Sequence, residues 1–192
     1  MKSRISENEI SEIFKASKQS EKFTPSSDTA AIFYDLDFLK ERIDNTIASF
    51  PDGTLHNIAM KANPLFNILT KLRDWNTGIE VASLAELQLA IDAGFDLKNI
   101  VFDSPCKTLE EIHYALKYGV HINADSLDEL ERIDQTLKNI RSDSIIGIRI
   151  NPEVGTGSIK STSVAGNISK FGVPLKNNRE KLIIAFKKYP WL

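Results

Sequence analysis

The sequence contains very little cysteine and no long apolar run. Cys106 is the only cysteine among 192 residues, so no disulfide can form within the chain, and a reducing compartment such as the cytoplasm is expected. No apolar stretch approaches the roughly 20 residues that cross a bilayer. The first 23 residues are charged throughout and lack the apolar centre of a secretion signal. We therefore expect a globular cytoplasmic protein without a membrane segment.

The charge of the chain has no dominant sign, and residues that bind metals are scarce. The 24 basic and 26 acidic residues are spread along the chain, and no basic stripe suited to nucleic acid is present. His56, His113 and His121 show neither zinc-ligand spacing nor a pairing with Cys106, so no metal site is expected. The run "GTGS" (155–158) is not followed by a helix in the register of a phosphate-binding loop. We instead expect the Ser/Thr-rich run 155–169, which contains it, to be a strand-to-helix loop that could close over a ligand.

The sequence does contain a repeating alternation of short apolar runs and helical stretches. The runs are rich in β-branched residues and show no clean polar face, which is typical of parallel strands covered by helices; they span 57–62, 78–82, 99–103, 120–124 and 144–150. Three of the helical stretches begin with a capping-box pattern: Ser83 to Glu86, Thr108 to Glu111 and Ser126 to Glu129. Gly94 and Gly119 are placed to end the first two of these helices. The pattern predicts an alternating β/α architecture.

The N-terminal segment lacks this alternation. Residues 1–29 are predicted to form a helix followed by a linker, and the helix has four apolar side chains on one side: Ile5, Ile10, Ile13 and Phe14. Beyond the linker we expect an extra strand over 31–35 and a helix over roughly 36–49. The main domain is predicted to span 30–192.

Charged residues occur within or at the ends of three predicted strands. Lys61, Glu80 and Arg149 occupy these positions, where burial is expected, and the C-terminal ends of parallel strands meet at one rim. A buried charge is costly unless it is paired, so the three residues indicate either a functional site or a structural ion-pair network. A partly desolvated lysine loses its proton more easily and can then attack a carbonyl group.

Five motifs, in order along the chain, resemble those of one enzyme family. They are "AMKANP", "NTGIEVASLAEL", "IVFDSPCKT", "INADSLDEL" and "RINPEV" followed by "SKFGV". Together they are similar to the pyridoxal-phosphate-dependent decarboxylases of diaminopimelate and ornithine, and the resemblance runs from about residue 30 to Leu192. It implies an α/β fold, namely a parallel β/α barrel of the TIM type as in alanine racemase. The barrel would be incomplete, with about five of its eight strands present and the later strands and the β domain absent.

The resemblance also implies a cofactor and a reaction. Lys61 would be the catalytic residue that bonds covalently to pyridoxal 5′-phosphate, with Glu80 beside that bond and Arg149 near the cofactor ring. The implied reaction is decarboxylation of a small basic or diamino acid. "RINPEV" and "SKFGV" favour diaminopimelate, and hence lysine biosynthesis, whereas "SPCK" is closer to the ornithine branch. The family forms homodimers.

Three functions stay open at this point. The chain could be the N-terminal portion of such a decarboxylase, inactive alone because the ring-stacking histidine, the phosphate loop and the substrate residues lie further along in the family. It could be a non-catalytic homologue that binds an intact decarboxylase. A cofactor-carrying barrel without decarboxylase activity is disfavoured, because it needs all eight strands.

Overall fold

Two helices form the N-terminal part of the chain. Helix α1 spans Glu7–Gln19 and α2 spans Leu36–Ile47, and both begin at a side chain that accepts a hydrogen bond from the first turn. The computed structural model describes residues 5–154 and 169–192. The two helices belong to one compact unit, Met1–Ala48, and all the remaining elements belong to a second unit, Ser49–Leu192.

The extra strand predicted over residues 31–35 is wrong. These residues form no strand, and no strand in the described parts of the chain pairs with them. Ile32 and Phe33 are exposed to solvent, so their β-propensity has no pleated surface to pack against. The helix predicted to follow this segment is confirmed as α2.

A five-stranded parallel sheet forms the centre of the second unit. Its strands are adjacent in chain order: β1 Asn57–Ala59, β2 Gly78–Val81, β3 Ile100–Asp103, β4 His121–Ala124 and β5 Ile146–Ile148. A short parallel pair follows, formed by β6 (Ile150–Asn151) and β7 (Val173–Pro174). The α/β class and the five parallel strands predicted from the sequence are confirmed.

Helices alternate with these strands. They are α3 Phe66–Asp74, α4 Leu84–Asp92, α5 Leu109–Lys117, α6 Leu127–Leu137 and α7 Leu175–Lys188, with 3₁₀ turns at Met60–Ala62 and Leu97–Asn99. Gly94 and Gly119 follow α4 and α5 with φ of 82° and 71°, which confirms them as helix-ending residues. Within the described residues, no helix is long and apolar enough to cross a bilayer.

The three predicted capping boxes are formed to different extents. Thr108 and Glu111 form the complete box at the start of α5. At the starts of α4 and α6 the serine caps the helix as predicted, but the glutamate accepts a hydrogen bond from the residue before the cap. The glutamates of these two helices therefore tie the helix to the strand end that precedes it.

The two faces of the five-stranded sheet differ in polarity. One face packs with the helices, and its side chains on the three central strands are fully buried; they are Ile79, Val81, Ile100, Phe102, Ile122 and Ala124. The side chains that alternate with them point to the other face, and Glu80, Asp103, His121 and Asn123 are only partly buried there. The expectation of strands without a polar face is therefore wrong. The strands have at most four residues, so the alternation was too short to be recognised.

Adjacent residues of β4 test this difference between the faces. We expect Ile122→Ala to lower the free energy of unfolding by about 2–5 kcal/mol, because it leaves a cavity in the apolar layer. His121→Ala, on the partly open face, should cost about 1 kcal/mol or less. Guanidinium denaturation measures the free energy of unfolding of both variants, and Ile122→Val is the conservative control. Equal losses of stability at positions 121 and 122 would contradict the assignment of the faces.

Candidate functional site

The three charged residues predicted to form a site lie at or near the carboxyl ends of strands in the five-stranded sheet. Lys61 lies in the 3₁₀ turn that follows β1, Glu80 is the third residue of β2, and Arg149 directly follows β5. Since all five strands are parallel, these ends share one edge of the sheet. The edge therefore carries Lys61 on one side and Arg149 on the other, with Glu80 next to the lysine turn.

The expectation that Lys61 is buried is wrong. β1 ends at Ala59, and the chain then turns, with the Asn63 N–H donating to the Met60 carbonyl at 3.0 Å. Met60 is fully buried in the core, whereas the next residue, Lys61, is exposed. The turn thus presents the amine at the sheet edge without the desolvation that a strand position would impose. Glu80 and Arg149 are partly buried, as expected.

The pKa of Glu80 depends on charged residues at both ends of this edge. Burial raises the pKa of its carboxyl group, and Lys61 opposes that shift. Asp103 and Glu86 raise the pKa further, while Arg149 lowers it. The structure therefore brings both Lys61 and Arg149 within electrostatic reach of Glu80.

Arg149 lies between two carboxylates at the ends of neighbouring strands. Its Nη1 atom is 3.4 Å from Asp103 Oδ2, at the end of β3, and 3.6 Å from Asp125 Oδ1, just after β4. The guanidinium also lies over the ring of Phe171, 4.5 Å from its centroid. Asp125 Oδ2 in turn accepts a hydrogen bond of 3.0 Å from the Gly172 N–H. Three other segments of the chain, the ends of β3 and β4 and residues 171–172, thus come together around Arg149.

The sequence did not indicate these partners of Arg149. Asp103 and Asp125 stand at the ends of predicted strands, which was the available signal, but nothing in the spacing shows that both reach one arginine. Burial raises the pKa of Asp125, while the Gly172 N–H, Arg149 and Lys107 lower it. Asp103 Oδ1 is buried and has no hydrogen-bond partner within the described residues, so the site contains an acceptor that these residues leave unsatisfied.

The other candidates from the sequence do not join this edge in the same way. His121 lies in β4 on the partly open face; burial lowers its pKa, and a hydrogen bond with the Asn123 side chain opposes the shift. Cys106 is exposed in the loop after β3. Within residues 5–154 and 169–192, no group of three or more His, Cys, Asp or Glu side chains could hold a metal ion. The "GTGS" run and the predicted closing loop lie outside the described residues, apart from Ser169.

A parallel sheet with helices along one face and charged residues at its carboxyl edge is typical of an incomplete β/α barrel, and comparison with known proteins identifies the family. Residues 36–189 match the model of the pyridoxal-dependent decarboxylases, pyridoxal binding domain. The chain belongs to this family, as the sequence motifs predicted, and pyridoxal phosphate is the cofactor of the domain.

Individual relatives agree with the family match. Over 159 residues, covering 82% of the chain, it is 31% identical to diaminopimelate decarboxylase of Campylobacter jejuni. Over 147 residues, 76% of the chain, it is 31% identical to L-glutamyl-[BtrI acyl-carrier protein] decarboxylase of Niallia circulans. The crystal structure of Helicobacter pylori diaminopimelate decarboxylase complexed with L-lysine superposes with a TM-score of 0.73 at 29% identity, over 83% of this chain.

The chain corresponds to the N-terminal part of these proteins. It covers 40% of the Campylobacter enzyme, 34% of the Niallia enzyme and 41% of the Helicobacter chain. The residues at the sheet edge fit the cofactor of the family. An exposed amine suits an aldehyde, and charged groups of both signs suit a ligand that combines a phosphate with a ring nitrogen.

The pKa of Glu80 leads to a prediction about pH. Because this pKa is higher in the folded than in the unfolded chain, the cost of ionising Glu80 is absent below its ordinary pKa of about 4.3 and complete above the raised value. Glu80→Gln removes this cost. We expect the variant to be more stable than the unsubstituted chain at pH 7, with the difference shrinking as the pH falls towards 4.

Urea denaturation at several pH values measures the effect. Glu110→Gln, on the exposed surface of α5, is the matched control and should show little change at any pH. A Glu80→Gln variant that is less stable at pH 7, or that differs equally at all pH values, contradicts the prediction.

Proposed function

We propose that this chain is the cofactor-binding N-terminal part of a pyridoxal-phosphate-dependent decarboxylase that acts on a basic or diamino acid, with diaminopimelate favoured over ornithine. The observation that carries the proposal is the match of residues 36–189 to the pyridoxal-binding domain, with Lys61 presented at the carboxyl edge of its sheet. The preference for diaminopimelate rests on the decarboxylases of Campylobacter and Helicobacter that it resembles.

Lys61 is proposed as the residue that bonds to the cofactor. Lys61 is exposed in the 3₁₀ turn that follows β1, so an aldehyde can reach its amine at the carboxyl edge of the sheet. Glu80 is proposed to lie beside this bond. Burial raises the pKa of its carboxyl group and the charge of Lys61 lowers it, so the carboxyl group and the lysine are coupled electrostatically.

Arg149 is proposed to hold the cofactor from the opposite side of the site. Its guanidinium is fixed by Asp103 and Asp125 and is still 31% exposed, so it can donate to a ligand. When bound, pyridoxal phosphate supplies an electron sink for the charge that remains when a carboxylate leaves as carbon dioxide. The protein's contribution is to orient the groups and to place protons.

The same proposal includes the setting of the protein. We propose that it acts in the cytoplasm, in lysine biosynthesis, and as part of a homodimer, in line with the decarboxylases that it resembles. The alternative, a non-catalytic homologue that binds an intact decarboxylase, shares the ancestry but requires no bond between Lys61 and the cofactor.

Reductive trapping tests the role of Lys61. The chain is incubated with limiting pyridoxal phosphate, reduced with borohydride and mapped by peptide mass spectrometry. We expect the adduct on Lys61, and we expect Lys61→Arg to remove nearly all specific labelling because a guanidinium does not form this bond. Lys71→Arg, at an exposed lysine of α3, is the matched control, and Lys61 should be labelled in this variant as in the unsubstituted chain.

Two other results would decide against the proposed role. An adduct mainly on another lysine removes Lys61 as the cofactor residue. Absence of any specific adduct, together with stable association with an intact diaminopimelate decarboxylase, supports the non-catalytic alternative.

A further inference from the structure

A buried ion pair lies behind the carboxyl edge of the sheet and takes no direct part in the site. Lys107 Nζ is 2.9 Å from Glu129 Oε1, and the two side chains are 0% and 1% exposed. Removing two charges from water costs more than an isolated ion pair returns, so such pairs persist only with further hydrogen bonds. The partners of those hydrogen bonds reveal what this pair does.

Each member of the pair bonds to the backbone beside one of the two carboxylates that contact Arg149. Lys107 Nζ donates to the Ser104 carbonyl at 2.7 Å, and Ser104 directly follows Asp103. Glu129 Oε2 accepts from the Asp125 N–H at 3.0 Å. The Lys107–Glu129 pair therefore links the end of β3 to the end of β4 at the two positions from which Asp103 and Asp125 reach the guanidinium.

Further contacts fix both members of the pair. Arg132, on α6, donates to the Lys107 carbonyl at 2.7 Å, so the same helix that carries Glu129 also holds the main chain of Lys107. Ser126 Oγ accepts from the Glu129 N–H at 3.1 Å and fixes the start of α6. The ammonium group of Lys107 lies 5.7 Å from the ring centroid of Phe102. The geometry of the pair is thus determined from several directions.

Stability alone does not account for this arrangement. Replacing a buried ion pair by neutral side chains of similar volume is often neutral or stabilising, so a fold that needs only stability has no use for it. Within the described residues, the exposed pair of Lys40 and Asp44 bonds to no strand ends. The Lys107–Glu129 pair bonds to two of them.

We propose that Lys107 and Glu129 are positioning residues that set the separation of Asp103 and Asp125 and thereby hold Arg149 where the cofactor binds. The inference rests on the cofactor-binding role proposed for Arg149. The pair does not touch the cofactor or the substrate; it acts through the two strand ends.

The double variant Lys107→Met/Glu129→Gln tests the proposal. It removes both charges together, keeps the side-chain volumes similar, and keeps an acceptor for the Asp125 N–H. The readout is the rate at which phenylglyoxal modifies Arg149 in the cofactor-free chain, mapped by mass spectrometry. Arg73 is the internal reference, because it is also ion-paired, to Asp74, and its side chain is 38% exposed against 31% for Arg149.

We expect Arg149 to react severalfold faster in the double variant while the rate at Arg73 and the unfolding midpoint stay close to those of the unsubstituted chain. The dissociation constant of pyridoxal phosphate should rise in parallel. The matched control is Lys40→Met/Asp44→Asn, which makes the equivalent change in an exposed pair and should alter neither quantity.

An unchanged ratio of the Arg149 rate to the Arg73 rate overturns the proposal, and so does an equal rise at both arginines, which indicates general loosening of the fold. If the double variant fails to fold, Glu129→Asp decides instead, because it keeps both charges and shortens only the reach of the carboxylate. An unchanged Arg149 rate in folded Glu129→Asp overturns the proposal. Since the labelling uses no cofactor, its result is independent of the trapping experiment on Lys61.

Discussion

The site depends on the attraction between one arginine and two carboxylates. Asp103 ends β3 and Asp125 directly follows the neighbouring β4; burial and the negative charge of Asp103 both raise the pKa of Asp125, because the two carboxylates repel each other. Arg149 lies 3.4 Å from one and 3.6 Å from the other and cancels much of that repulsion. It also packs on Phe171, whose neighbour Gly172 bonds to Asp125. Without the guanidinium, the ends of β3 and β4 and the 171–172 segment would lose their common partner.

The sheet separates the requirements of stability from those of function. On the three central strands the helix-covered face consists of fully buried apolar side chains, whose burial stabilises the unit at about 25 cal/mol for each Å² removed from water. The other face carries partly buried polar groups that add little to stability but can hold charge and protons. Since neighbouring residues of one strand point to opposite faces, both requirements are met within strands of three or four residues. Glu80 illustrates this, with Ile79 and Val81 buried on either side of it.

Local patterns in the sequence predicted the fold better than the site. The β-branched runs, the serine and threonine caps and the ends at Gly94 and Gly119 act over a few residues, so the sequence showed them directly. The exposure of Lys61 depends on where β1 stops, and a run of apolar letters does not show that the last three residues form a 3₁₀ turn. Asp125 and Asp103 lie 24 and 46 residues before Arg149 in the sequence, so only the tertiary structure brings them into contact with it. The strand expected at 31–35 failed for a related reason, since its β-propensity found no partner strand.

Glu80 connects the two halves of the proposed site. Lys61 follows β1 and is remote along the sheet from the Lys107–Glu129 pair, which acts at β3 and β4. Glu80 nevertheless responds to both sides, because Asp103 raises its pKa and Arg149 and Lys61 lower it. A displacement of Asp103 or Arg149 would therefore change the proton affinity of this carboxyl group. If the Lys107–Glu129 pair positions Asp103 and Arg149 as proposed, it also influences, through this field, the protonation of the residue proposed to lie beside the cofactor bond.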